Sequence, residues 1–176
     1  MTKFMEWLSD GTKGLKDMFG YVVLAGLIVA SLQYCVSAAL MNWGITPEHQ
    51  VTRSNPFQFW GIMGMIEICL KSPLMEELIF RVLPLSLVIA FVSKSPRALF
   101  GVTIMFALLF GAIHPYSLQG KIQVGIAGFF FGLVFLKCGG MKNLFIRASV
   151  AAVLAHGLSN FLSVLLEYWE YLEFKV

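Results

Sequence analysis

Charge is what this sequence has least of. Only 13% of its 176 residues are Asp, Glu, Lys or Arg, against 58% hydrophobic residues and a mean hydropathy of +0.78. That leaves too little polar surface to coat a water-soluble domain, so the composition places the chain in lipid. A basic stripe is also missing: the net charge is +3 and the Lys and Arg residues are scattered between apolar runs, which argues against nucleic acid as a partner. No Cys-x-x-Cys spacing occurs, and Cys35, Cys69 and Cys138 sit in or beside apolar runs as packing thiols. No Ser-, Pro- or Gly-rich linker and no internal repeat divides the chain, so a single domain is expected. Runs such as Phe129-Phe130-Phe131 do not alternate as the strands of a membrane barrel must.

What is present is a series of apolar runs of helical length. Spanning about 30 Å of hydrocarbon at about 1.5 Å per residue takes roughly 20 residues, which Phe19 to Trp43 supplies outright. Phe57 to Ser72, Leu74 to Val92, Ala98 to Ile113, Ile122 to Leu136 and Leu144 to Tyr168 complete an expected set of six, the shorter ones matched to the bilayer by their neighbours. Breaks are expected at Pro56, Pro73, Pro96, Pro115 and Gly139-Gly140. The fold class is therefore all-α, a polytopic transmembrane helix bundle occupying residues 19–176.

Residues 1–18 pair charges with Phe4, Trp7, Leu8 and Leu15, the pattern of an interfacial amphipathic helix, broken at Gly11 and Gly14. A secretory signal competes, with a weak cleavage site at Val36-Ser37-Ala38. The run from Phe19 to Met41 exceeds a signal core, so a retained anchor is expected. Gly128 and Gly132 have the small-x-x-x-small spacing of closely packed membrane helices, with Gly125 on an adjoining face. Tyr168, Trp169, Tyr171 and Phe174 read as an aromatic interfacial belt, with Glu167, Glu170 and Glu173 among the headgroups.

On a six-crossing layout the basic residues tie between the two sides. Lys3, Lys13, Lys16, Lys71, Lys121 and Lys175 face Arg53, Lys94, Arg97, Lys137, Lys142 and Arg147, so charge sets no orientation. Nothing in the pattern fixes an oligomeric state.

Arg81 stands apart, about two turns inside an apolar segment that also carries Glu76 and Glu77. A central ionisable residue costs roughly 2.5–3.5 kcal/mol on insertion scales, which makes it a candidate functional residue in search of a partner. Glu77 lies one turn from Arg81 on the same face and is expected to pair with it, whereas Glu76 points well away. His114 closes the fourth segment at the same membrane side and is placed to meet Glu76. His156 and Asn160 lie one turn apart on the sixth segment and project from one face. Separately each has a plain packing explanation; together they converge from three apolar helices as a site with an acid, a base and hydrogen-bond donors. Glu67 is read as a local ion pair with Lys71, and His49 as a solvated loop residue.

Glu76-Glu77-x-x-x-Arg81, Phe110-x-x-x-His114 and His156-x-x-x-Asn160 resemble, in order and spacing, the motifs of the CAAX protease and bacteriocin-processing family, the type II CAAX prenyl endopeptidases. The protease-like core would occupy about 57–168. Val82 follows the motif arginine where a small residue is usual. The resemblance implies a multi-pass intramembrane peptidase, expected in a bacterial plasma membrane, acting on a membrane-associated peptide or protein. In it Glu76 and His114 activate water, His156 and Asn160 stabilise the oxyanion, Glu77 and Arg81 buttress the site, and Phe110 packs. No cofactor is expected. The alternative is a zinc enzyme with Glu76, His114 and His156 as ligands, although no His-Glu-x-x-His helix is present. A proton or metal-ion transporter is the rival from another class, since buried Glu and His chains also mark ion pathways.

Overall fold

The computed structural model describes residues 2–42 and 56–173. His49, Arg53, Trp43, Phe174 and Lys175 lie outside the described residues, and with them part of the expected loop and belt. All regular structure among the described residues is helical. α1 spans Lys3–Asp10, α2 Leu15–Asn42, α3 Pro56–Ile66, α4 Ser72–Glu77, α5 Leu83–Phe91, α6 Pro96–Ile113, α7 Leu118–Cys138 and α8 Phe145–Glu173.

Among the described residues, four helical stretches are long and apolar enough to cross a membrane: Leu15–Ala39, Pro96–Ile113, Leu118–Lys142 and Phe145–Trp169. The third is the most enclosed, with 61% of its apolar window buried, so α7 forms the axis around which α2, α6 and α8 pack. Small residues allow that packing. Ala148, Ala151, Ala152 and Ala155 of α8 are fully buried, and Gly132 of α7 leaves room for Thr103 of α6. One cluster joins Met18, Val22, Ala25 and Val29 of α2 to Phe131 and Val134 of α7 and Ala151 and Ala155 of α8. The outward faces keep Leu108, Ile146 and Phe91 exposed, as lipid-facing side chains are.

Pro73 does not end a helix as the sequence suggests. The chain from 56 to 91 is one helical path interrupted by a kink at Gly61 (φ 57°) and by π turns at Glu67–Lys71 and Leu78–Val82. Each π turn comes just before a proline, Pro73 or Pro84, that sits in the first turn of the next α-helix. The wider i→i−5 bonds, Ser72 N–H to Glu67 C=O and Leu83 N–H to Leu78 C=O, let the backbone run on past a residue that has no N–H. This path runs antiparallel to α8: Ile68 meets Asn160, Glu77 meets His156, and Leu85 and Ile89 cluster with Ala148 and Ala152.

The N-terminal segment is shorter as a helix than expected and docks on the bundle. α1 ends at Gly11 (φ 68°), and Met18 already belongs to α2. Leu8 is fully buried among Leu85, Ile89, Leu99, Phe135 and Leu136. Lys137, read from sequence as a loop charge, is buried: its Nζ donates to the Trp7 carbonyl and lies 4.5 Å from the centre of the Trp7 ring. That carbonyl belongs to the last turn of α1, where no helical N–H is left to satisfy it. Arg147 donates to Thr12 Oγ1 at 2.5 Å and to the Gly14 carbonyl at 2.6 Å, completing the attachment.

Candidate active site

The site is built where the π-interrupted path crosses α6, α7 and α8. Glu77 faces the interior with no exposed surface. Its Oε1 accepts from Arg81 Nη1 at 3.1 Å, the i,i+4 pair the sequence predicts, and from His156 Nδ1–H at 2.9 Å. The sequence did not point to this second bond, because helix periodicity says nothing of which residue on another helix fills the remaining lone pairs. Arg81 Nε donates to the Gly128 carbonyl at 3.3 Å, and its guanidinium carbon lies 3.9 Å from the centre of the Phe110 ring. A buried cation is thereby held by a carboxylate, a carbonyl and an aromatic face.

Gly128 has a more specific part than general helix packing. A Cβ on it would lie 2.1 Å from Arg81 Nη2 and 2.8 Å from the Phe110 ring, so the arginine head occupies the space a side chain would need.

Glu76 is turned away from this pair and keeps 28% of its side chain exposed. His156 Nε2 lies 3.7 Å from Glu76 Oε2. His156 thus stands between the two acids, Nδ1 toward Glu77 and Nε2 toward Glu76, with its ring stacked on Phe131 at 4.5 Å and 18°. His114 closes α6. Its Nδ1–H donates to the Phe110 carbonyl at 2.6 Å, so in the neutral ring Nε2 is the acceptor. The Phe110 ring touches Arg81 and packs edge-on against both His114 and His156, so the motif phenylalanine is the shared floor of the cluster. Asn160, one turn beyond His156, donates from Nδ2 to the Ile68 carbonyl at 2.9 Å. An amide carries two N–H groups, so one remains available for a second acceptor. Glu67 and Lys71 form the expected exposed ion pair at 2.9 Å, apart from this cluster.

A zinc centre would need Glu76, His114 and His156 to converge as ligands. Among the described residues no group of three or more His, Cys, Asp and Glu side chains is arranged to hold a metal ion.

An apolar helical bundle that concentrates acids, histidines and an arginine in one interior cluster has the build of an intramembrane enzyme. The model of the Rce1-like type II CAAX prenyl endopeptidase family matches residues 58–162, most of the chain and all the site residues named above, and the chain belongs to that family. Neither a curated protein nor a solved structure matches the chain. Family membership implies an intramembrane peptidase with a peptide or protein substrate.

Proposed function

We propose that this protein is an intramembrane endopeptidase of glutamic type, in which Glu76 is the general base. The observation that carries the reading is the chain Arg81, Glu77, His156, Glu76: one acid is buried and pairs through a single oxygen with an arginine and a histidine, and its neighbour is left partly exposed beside that same histidine. Water held between Glu76 and His114 Nε2 loses a proton to Glu76 as its oxygen bonds to the scissile carbonyl carbon. The oxyanion that forms accepts from His156 Nε2–H, when that ring is charged, and from the second N–H of Asn160. The buried Glu77 carboxylate, accepting from His156 Nδ1–H, holds the ring in place, the third-group role seen in nucleophile and base pairs generally. Collapse breaks the C–N bond, and the proton taken by Glu76 passes to the leaving amine.

The substrate class is a membrane-associated peptide of the CAAX or bacteriocin-processing kind. The test is purified protein in detergent with an internally quenched peptide ending in a farnesylated CAAX sequence, beside the same protein in liposomes assayed for proton and zinc flux. Cleavage without flux is expected. Flux without cleavage of this or an unprenylated peptide would favour the transporter instead.

The chain path also bears on topology. Because 56–91 runs one way along α8, we read five passes, formed by α2, the 56–91 path, α6, α7 and α8. Lys3, Lys13, Lys16, Lys94, Arg97, Lys137, Lys142 and Arg147 then gather at the α1 end, with Lys71 and Lys121 away from it. The tie of the six-crossing layout disappears, and the α1 end is the cytoplasmic one.

A further inference from the structure

We propose that Gly157 is a positioning residue for this site: by receiving the Cys69 carbonyl on its bare Cα, it sets how closely the Glu76-Glu77 segment approaches His156. The inference rests on the peptidase reading above and adds a residue that none of the three motifs specifies.

The argument begins with backbone bookkeeping at the first π turn. Ser72 N–H is used by Glu67 C=O, and Pro73 has no N–H to give. The carbonyls of Ile68 and Cys69 are therefore left without their helical donors. Asn160 supplies one for Ile68 at 2.9 Å. The Cys69 oxygen is instead turned toward α8, as expected of the carbonyl four residues before a proline, which the pyrrolidine ring pushes off the helix axis. It lands on Gly157, where a Cβ would sit 2.1 Å from the oxygen and 3.3 Å from its carbon.

Both obstructing atoms are backbone, so no side-chain rotation relieves the clash and one helix must move. Gly157 has no positive φ that would demand glycine, so close approach is its reason. The approach is also local to the chemistry. Gly157 follows His156, whose separations from Glu77 and Glu76 are 2.9 Å and 3.7 Å. Pro73 lies three residues before Glu76 on the other side of the contact.

The test uses the full chain in detergent with the quenched farnesylated CAAX peptide, measuring kcat and KM, together with the NMR resonance of the His156 Nδ1 proton, assigned by its loss in His156→Gln. Gly157→Ala is expected to lower kcat on the order of 100-fold, the cost of misplacing reacting groups by about 1 Å, with KM unchanged. The His156 proton should move upfield as its bond to Glu77 lengthens. Pro73→Ala, added to Gly157→Ala, removes the ring that pushes the Cys69 carbonyl outward and restores its helical donor, so part of kcat and of the shift should return. Should Gly157→Ala fail to fold, recovery of a folded, active double variant supports the proposal and failure of the double variant overturns it. Unchanged kcat and an unmoved resonance in Gly157→Ala also overturn it, as does a second loss added by Pro73→Ala. If the native chain cleaves neither this peptide nor an unprenylated one, the peptidase reading fails and the resonance alone decides the part of Gly157.

Discussion

Glu76 and Glu77 are separated by about 100° of helix, and that rotation gives them different chemistry. Glu77→Ala or Arg81→Ala strands one charge of a buried pair, at about 3–5 kcal/mol. Thermal unfolding should therefore show a large loss for either variant and a smaller one for the double change than the two added together; additive losses would mean the side chains are not coupled. Asn160→Ala removes a donor that gains strength in the transition state, so kcat should fall about 100- to 1000-fold with KM nearly steady. A rise in KM at constant kcat would move Asn160 from catalysis to substrate binding. At this scale the sequence was informative where residues share a helix: the Glu77–Arg81 pair follows from spacing alone. It was silent where the partner comes from elsewhere. The bond from His156 to Glu77, the Arg81 head above Gly128 and the Phe131 ring under His156 depend on how helices cross, which no single-helix periodicity contains.

At the scale of elements, prolines were the least legible feature. Pro96 and Pro115 bracket α6 as expected, yet Pro73 and Pro84 are absorbed by π turns because the displaced bonds spare the backbone a missing donor. The charged residues show a similar limit. Lys137 lies in sequence beside the Gly139-Gly140 break, and α1 folds back over it. Lys137→Met keeps the apolar stem and removes the donor to the Trp7 carbonyl, a loss of about 1.5–3 kcal/mol. Limited proteolysis should then cut between α1 and α2 sooner, while peptide cleavage by the intact chain persists, since α1 packs at the far end of α6 from His114. Unaltered protection would show that Leu8 alone holds α1 down.

For the whole molecule, composition was enough to establish a helical membrane protein, and three short motifs were enough to anticipate the family whose model covers residues 58–162. Hydropathy shows two apolar runs between 56 and 91, but not that Gly61 and two π turns break the path between those residues. The five-pass reading proposed above puts the α1–α2 connection and the 139–144 turn on one face and His114 toward the other. A membrane-impermeant thiol reagent applied to intact cells should miss a cysteine placed at Lys142 and label one placed at Ser117; the reverse pattern would invert the orientation. The central claim, that Glu76 itself activates the water, is tested most directly by the rate of peptide cleavage by chelator-treated native protein measured beside that of Glu76→Gln. The account predicts that the stripped native protein turns over undiminished while Glu76→Gln, with an unchanged melting temperature, does not. Turnover by Glu76→Gln at the native rate, or native activity lost to the chelator and restored by zinc, would contradict it.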